Sequence, residues 1–419
     1  MRPWLSAVLF LVACGNGRAK TDGGGSGGEG TGSSSDGAST DGNGDGVPGA
    51  DADPLCATPG TLPALTVRQV TASGQLEQPV FLTAPKGSTD LYVVEKPGRI
   101  RIIRNGALLP TAFLDVTAHV TSPGGGAEGE AGLLGLAFAP DYATSGRFFI
   151  YLTTTLAGSG PGAAVEEYAR SANPDLATPT RVRTHTEFPQ NGFNNIGGTV
   201  AFGPDGRLWL GTGDAASVPS DASIITSRRG KLLRMNIDTP GVAVPGNLPG
   251  GDPLVWDLGL RNPYRFSFDR VTGEAYIADA GDDSFDEVSI EPRASGQHDY
   301  GYPRMEGRHC ADGSQACGAP GTLPQYEIAH ASGSSVIIGG SVYRGAAIPC
   351  LRGRYIFAMF GIGRILSFVW TGTAITSEVE LTDAFGGADV TYVTSISEDA
   401  AGELYMTTIG GAIYQIIAG

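Results

Sequence analysis

The chain has 419 residues and a formal net charge of −15, from 28 Lys plus Arg against 43 Asp plus Glu. This negative charge argues against nucleic acid and against anionic lipid headgroups as partners. The 64 glycines and 27 prolines, with little helical periodicity between them, indicate strands separated by turns, so we expect an all-β fold.

The first fourteen residues have the form of a secretory signal that ends at a lipidation site. A basic start precedes an apolar run, residues 5–13, that is too short to span a bilayer, and Cys14 follows at the cleavage point. The last four residues of the segment fit the bacterial lipobox, although an ordinary signal peptide with an incidental cysteine would also fit. We expect residues 1–13 to be a signal peptide and Cys14 to be lipidated. The exported protein would then be anchored in a bacterial cell envelope, at the outer membrane or cell surface, through this lipid alone.

Residues 14–55 are rich in Gly, Ser and Asp and contain almost nothing apolar, which predicts a disordered, flexible tether. The run at residues 41–46 resembles part of a calcium loop but lacks the closing glutamate, so we interpret it as a chance match. Residues 56–419 are long enough to form one large core and are expected to be the folded part.

Six stretches of the folded part repeat one pattern, a polar turn with Gly followed by an aromatic-rich apolar run. The repeats begin at Gly87, Gly146, Gly203, Gly273, Gly353 and Gly402. Turn-plus-strand units at such intervals are typical of propeller blades, whose loops gather around one axial cavity. The uneven spacing leaves the number of blades open at this point. Residues 67–70 are our candidate for an N-terminal strand that completes the last blade.

Four cysteines remain besides Cys14, and an even number in an exported chain suggests disulfides. Cys310 and Cys317 flank a turn that contains Gly and Asp, so we expect them to pair locally. Cys56 with Cys350 is then the remaining pairing. None of the four has the spacing of a zinc site.

Several motifs go beyond the repeat pattern. They are GEAGLLGLAF at 129–138, GGTVAFGPDG at 197–206 with GTGD at 211–214, GLRNPYRF at 259–266, DAGDDSFDEV at 279–288 and DYGYP at 299–303. In this order they resemble the soluble PQQ-dependent sugar dehydrogenases, the glucose/sorbosone dehydrogenase family, which includes hedgehog-interacting-protein-like domains. The resemblance covers nearly all of the chain from about residue 67 onward.

The resemblance implies a six-bladed β-propeller that holds PQQ and calcium on its top face and oxidises a sugar hydroxyl by hydride transfer to the quinone. Matched by position, Arg261 and Asn262 are the cofactor-contacting pair, and Arg261 would act catalytically beside the quinone oxygens. Glu130 stands where the soluble glucose enzymes have a cofactor-binding Gln, and a carboxylate is less suited to face a tricarboxylate.

The same matching places the calcium at Gly281 and Asp282, through backbone carbonyls, with Asp286 as a nearby acidic residue. A plain turn rich in Asp and Gly would also account for this loop. The basic residues that the glucose enzymes carry in the last blades are not evident in residues 390–395. Arg364 is our candidate for a cofactor-binding substitute.

The catalytic base is where the chain departs from the family. Family enzymes have a His just before the Gly-Gly-Thr segment, and Asn195 occupies that position here. An amide cannot take up a proton at neutral pH. None of the five histidines lies in that loop, and His330, which is near a Gly/Ser-rich run, is more readily interpreted as a structural residue.

Three hypotheses about function remain open at this stage. The first is a quinoprotein sugar dehydrogenase whose base is supplied differently. The second is a catalytically eroded propeller that binds a saccharide or a protein partner. The third is a calcium-stabilised lipoprotein scaffold without a small ligand. A fold alone does not decide between them, because function resides in the site.

Overall fold

The computed structural model describes residues 62–121, 129–190, 192–216, 218–314, 317, 321–330, 335–386 and 388–419. The predictions for the signal segment, Cys14, the tether and Cys56 concern residues outside these ranges, and they stay predictions. Within the same ranges, no helix is long and apolar enough to cross a membrane.

Six antiparallel sheets form the six-bladed propeller that was predicted. The first blade consists of β2 (Pro79–Thr83), β3 (Leu91–Glu95), β4 (Arg99–Arg104), β5 (Ala107–Leu108) and β6 (Leu114–Asp115). The second consists of β7 (Leu133–Phe138), β8 (Arg147–Leu156), β9 (Gly160–Ala169) and β10 (Arg183–Pro189), with the short helix α1 (Tyr142–Ser145) before β8. The third consists of β11 (Val200–Phe202), β12 (Leu208–Thr212), β13 (Lys231–Met235) and β14 (Val255–Leu258), with a 3-10 helix (Pro219–Ser223) before β13.

The remaining blades have the same plan with one insertion. The fourth consists of β15 (Arg265–Phe268), β16 (Ala275–Asp279), β17 (Phe285–Glu291) and β20 (Tyr326–Ala329), and the hairpin of β18 (Met305–Glu306) and β19 (His309–Cys310) lies between its last two strands. The fifth consists of β21 (Val336–Val342), β22 (Arg354–Phe360), β23 (Arg364–Trp370) and β24 (Ile375–Glu380). The sixth consists of β25 (Val393–Glu398), β26 (Leu404–Thr408), β27 (Ile413–Ala418) and β1 (Leu65–Thr71). Two more 3-10 helices, Pro349–Leu351 and Thr382–Phe385, precede β22 and β25.

The six sequence repeats correspond to one position in the blades. Each aromatic-rich run forms the second strand of its blade, and each polar turn joins that strand to the first one. The turn glycines are required where the backbone is left-handed, as at Gly353 with φ 86° and Gly402 with φ 85°. The six repeats therefore correspond one to one with the six blades.

The two ends of the described chain close the ring. Strand β1 pairs antiparallel with β27, in a register that sets Leu65 opposite Ala418 and Val67 opposite Ile416. This confirms the predicted closing strand at residues 67–70. The pairing covers an edge of the sixth sheet that would otherwise be open to association with other chains.

A buried arginine ties three blades together at the axis. Arg265, 3% exposed, begins β15 and donates to the carbonyl oxygens of Val80 in β2 (2.6 Å) and Leu134 in β7 (3.1 Å). Its guanidinium carbon also lies 4.2 Å from the ring centroid of Tyr264 and 5.1 Å from that of Phe81. The first strands of neighbouring blades pack against each other around this point.

One of the two predicted disulfides is confirmed, and the partner of Cys350 in the other stays a prediction. Cys310 and Cys317 are bonded to each other in the connection between β19 and β20, as predicted. Cys350 is also disulfide-bonded. Its predicted partner, Cys56, lies outside the described residues.

Ring closure predicts a difference between two positions of β1. Leu65 is 7% exposed and packs in the core shared by the last two blades, whereas Gln69 is exposed. We expect Leu65→Asp to lower the free energy of unfolding by roughly 3 kcal/mol or more, because it buries a charge without a partner. Gln69→Asp, the control, should change it by less than about 0.5 kcal/mol. Urea unfolding of both variants measures the difference, and equal stabilities would contradict the closing role of β1.

Candidate functional site

The predicted functional residues lie at one end of the propeller for a topological reason. In an antiparallel blade, the start of the first strand and the end of the second lie at the same end of the sheet. Glu130 precedes β7, Arg261 and Asn262 precede β15, and Asp282 follows β16. Glu130 and Asn262 line one cavity between the blades, here called the top-face cavity. It is lined by Val80, Lys96, Gly129, Glu130, Asn262, Tyr264, Val336, Ile338, Phe360, Thr394 and Ile409.

Glu130 and Asn262 are in contact, although 132 residues separate them in sequence. The amide nitrogen of Asn262 donates to Glu130 at 3.1 Å, and the amide oxygen of Asn262 accepts from the backbone N–H of Gly197 at 2.9 Å. The N–H of Ile196 also donates to Glu130 at 3.4 Å. Burial raises the pKa of Glu130, and these hydrogen bonds oppose the rise only in part. The structure thus brings two predicted cofactor residues together around a carboxyl group that burial favours in its neutral form.

Asp279 fixes the backbone of the Arg261–Asn262 pair. Its two carboxylate oxygens accept from the N–H of Arg261 at 2.8 Å and from the N–H of Asn262 at 2.6 Å. Burial raises the pKa of Asp279 above its ordinary value, and both backbone donors oppose that rise. Sequence reasoning gave Asp279 no role, although its place at the end of an apolar strand, directly before a Gly/Asp loop, was a usable signal.

The Arg261 side chain binds the loop that was predicted to hold calcium. Arg261 is 5% exposed, and it donates to the carbonyl oxygen of Gly281 and to the carboxylate of Asp282, both at 2.7 Å. Oxygen atoms of these kinds suit calcium. Here, however, the cation that they contact is the guanidinium.

Asp286, the third predicted metal residue, serves the packing of the same region. It is fully buried and accepts from the N–H of Gly281 (3.0 Å), from the N–H of Ile337 (2.9 Å) and from Nε2 of His330 (2.9 Å). The hydrogen bond to Asp286 raises the pKa of His330. Among the described residues, no group of three or more His, Cys, Asp or Glu could hold a metal ion. The calcium site stays a prediction, and it requires Arg261 to move.

Asn195 is held in a fixed orientation at the position of the family base. It is 2% exposed, has a left-handed backbone with φ 53°, and donates from its amide nitrogen to Asp214 at 2.7 Å. Tyr302 donates to the other oxygen of Asp214 at 3.2 Å. A Cβ atom on Gly213 would lie 2.0 Å from the Asn195 carbonyl oxygen, so this approach requires glycine. Sequence reasoning missed Asp214 and Tyr302, although both lie in the motifs that carry the resemblance.

Among the residues that the structure describes, no histidine lines the top-face cavity. The five histidines contact Glu166 (His119), Glu167 (His185), Ser295 (His298), Glu327 (His309) and Asp286 (His330). Each is thus engaged elsewhere in the fold. The interpretation of His330 as a structural residue agrees with its contact to Asp286.

One predicted cofactor residue lies apart from the cavity, and one unpredicted residue lies in it. Arg364 begins β23, the third strand of its blade and therefore farther from the axis, and it bonds Glu380 at 2.9 Å on the surface. Lys96 follows β3 and lines the cavity, where its Nζ donates to the Gly129 carbonyl at 2.7 Å. Burial lowers the pKa of Lys96 to about 8. The signal in the sequence was a lysine placed directly after a buried, mostly apolar second strand.

The sequence is similar to a known protein family and to proteins from a plant and from humans. The model of the family described as Glucose / Sorbosone dehydrogenase matches residues 76–415. The HIPL2 protein of Arabidopsis thaliana is 26% identical over 429 residues, and the match covers 80% of this chain and 60% of the plant protein. The Hedgehog-interacting protein of Homo sapiens is 31% identical over 215 residues, which cover 46% of this chain and 31% of the human one. This chain therefore spans less than two thirds of the length of either relative.

A solved structure establishes the fold independently of these sequence matches. The PQQ-bound form of an aldose sugar dehydrogenase from Streptomyces coelicolor superposes with a TM-score of 0.66 at 23% identity. The superposition covers 85% of this chain and 99% of that one. At this identity the likeness concerns the fold.

The raised pKa of Glu130 predicts a pH-dependent cost to stability. The ordinary pKa of this carboxyl is 4.5, and burial raises it in the folded state. As the pH rises above that value, the unfolded chain loses this proton first, so the folded state is increasingly disfavoured. We expect Glu130→Gln to gain stability relative to the native protein, and to gain more at about pH 7.5 than at about pH 4.5.

Urea unfolding at both pH values measures this change. Glu380→Gln is the matched control with the opposite sign, because the hydrogen bond from Arg364 lowers the pKa of Glu380. That variant should lose more stability at the higher pH. Identical pH profiles for Glu130→Gln and the native protein would show that burial does not act on Glu130 as described.

Proposed function

This chain belongs to the glucose/sorbosone dehydrogenase family, and we propose that it is a quinoprotein that oxidises a sugar hydroxyl by hydride transfer to PQQ. The observation that carries the proposal is the contact between Glu130 and Asn262 in the lining of the top-face cavity, directly after Arg261 in the chain, since the resemblance assigns all three residues to the cofactor. The PQQ-bound aldose sugar dehydrogenase with the same fold supports it. We further propose export and lipid anchoring through Cys14.

The chemistry of the described donors suits PQQ, which carries three carboxylates and supplies the hydride acceptor when bound. Arg261 and Asn262 would hold it, because a guanidinium and an amide donate to carboxylate and quinone oxygens. Burial raises the pKa of Glu130, which weakens the repulsion that a carboxylate at this position would exert on the ligand.

Calcium does not fit the loop as it stands. The oxygens of Gly281 and Asp282 both accept from Arg261, and the carboxylate of Asp286 is occupied by three hydrogen-bond donors. The proposal therefore assigns no step to calcium.

The second candidate function is a propeller that has lost catalysis and binds a saccharide or a protein partner. The observation that favours it is the Asn195 amide, which donates to Asp214 and cannot accept a proton from a hydroxyl. The Hedgehog-interacting protein of Homo sapiens, by its name, binds a protein, which supports the same alternative. The two candidates make different predictions about PQQ and about Asn195.

The first test is PQQ binding by the exported form of the protein. Calorimetry and visible absorbance measure this binding, with and without calcium. We expect binding in the micromolar range or tighter, and we expect Arg261→Ala to abolish it, because a buried charge-assisted contact is lost. Arg364→Ala is the control and should bind normally, since Arg364 bonds Glu380 outside the cavity. No binding by the native protein at high micromolar PQQ would favour the second candidate.

The second test restores a base at the family position. Asn195→His should raise the rate of sugar oxidation with an artificial electron acceptor, by on the order of 10²-fold, the usual contribution of a positioned general base. Histidine tolerates the left-handed backbone of this position better than most residues. Asn195→Ala, which adds no base, is the control. A folded Asn195→His variant without any gain would show that Asn195 does not limit the reaction.

A further inference from the structure

Lys96 is a buried cation whose position is built into the fold. It is 6% exposed, its N–H donates to the Gln78 carbonyl at 3.0 Å, and its own carbonyl accepts from Leu133 at 2.8 Å. A Cβ atom on Gly132 would lie 2.5 Å from both Cγ and the carbonyl oxygen of Lys96. A glycine is therefore required at position 132 to leave room for the methylene groups of Lys96. The two hydrogen bonds fix the backbone of Lys96 itself.

The ammonium group of Lys96 has more N–H donors than it has hydrogen-bond acceptors among the described residues. Of its three N–H groups, one bonds the Gly129 carbonyl at 2.7 Å, and no other hydrogen bond or ion pair to it occurs within the described ranges. An isolated buried charge is costly, so such a group is normally paired. The side chain lines the top-face cavity, which is otherwise mostly apolar.

The charges that face Lys96 leave the cavity receptive to an anion. Glu130 is the carboxyl group whose charge raises the pKa of Lys96, against the larger effect of burial. Among the described residues, the two side chains make no ion pair. Burial favours the neutral form of Glu130, and its field is further offset by Arg261 on one side and Arg265 on the other. Each of these effects weakens the negative field that Glu130 exerts beside Lys96.

Within the described part of the last two blades, no cationic side chain lines this cavity. Residues 390–395 contain no Lys or Arg. Thr394 lines the cavity there, but its hydroxyl donates to the Pro79 carbonyl at 2.7 Å. Arg364 bonds Glu380 on the surface. Within the cavity lining, Lys96 is accordingly the side chain with a full positive charge.

We propose that Lys96 binds a carboxylate of the ligand in the top-face cavity, so that the first blade supplies the cation which the last blades lack. This inference rests on the proposed function, in which the ligand is the tricarboxylate PQQ. It assigns a binding role, through direct contact with the ligand, to a residue that the family resemblance did not single out.

The test compares PQQ affinity of the native protein, Lys96→Met and Lys86→Met by calorimetry at about pH 7. Lys96→Met should weaken binding by about 10- to 100-fold, the range for loss of one charged hydrogen bond. Lys86, exposed in the β2–β3 turn at the other end of the propeller, is the matched control and should leave affinity unchanged. A PQQ ester with its carboxylates masked should bind native protein and Lys96→Met equally.

The pH dependence of native binding gives a second measurement that needs no variant. Because the pKa of Lys96 is lowered to about 8, PQQ affinity should fall as the pH rises through that value, and ester affinity should not. Equal PQQ affinities for native protein and Lys96→Met, or a flat profile if that variant does not fold, would overturn the role of Lys96 alone. If native protein binds no PQQ at all, the proposed function fails, and this inference fails with it.

Discussion

The closed ring is the constraint on which every other feature of this protein depends. Strand β1 completes the sixth sheet by pairing with β27, and Arg265 joins the first, second and fourth blades across the axis. Closure makes the blades meet on one axis, so that loops from different blades face each other. A buried guanidinium at that point is tolerated because backbone carbonyls and two aromatic rings surround it.

Buried carboxyl groups then organise the loops at the top face. Asp279 holds the backbone of Arg261 and Asn262, Asp286 joins the Gly281 loop to the fifth blade, and Glu130 receives the Asn262 side chain. Each group accepts from backbone or amide donors that would otherwise be buried without partners. Loops rich in Gly and Asp have little apolar surface of their own, so these hydrogen bonds fix their conformation.

Different carboxyl groups hold the two sets of side chains at the top face. The Arg261–Asn262 pair depends on Asp279, whereas Asn195 depends on Asp214 and Tyr302. The side chain at position 195 therefore has partners of its own, although the N–H of Asp214 still donates to the Arg261 carbonyl and the N–H of Ile196 to Glu130. The side chains of the site, and not the propeller fold, therefore decide between the two candidate functions.

The sequence by itself determined what depends on neighbours in the chain. The turn-and-strand repeat predicted the second strand of every blade, residues 67–70 were recognisable as the closing strand, and Cys310 and Cys317 were close enough to pair. Residue matching also identified Glu130 and Asn262 as members of one site. The strands and the local disulfide follow from backbone preferences and short spacings, which a sequence displays directly, whereas the assignment of Glu130 and Asn262 follows from the family resemblance.

Only the tertiary structure decided which side chains meet. It joined Arg261 to the predicted calcium loop, placed Arg364 on an outer strand against Glu380, and brought Lys96 into the cavity. These contacts depend on how far each strand lies from the axis and on which cationic side chain lies within hydrogen-bond distance of a given oxygen atom. Neither quantity is encoded in the spacing of residues, because both arise when separate blades are closed into one ring.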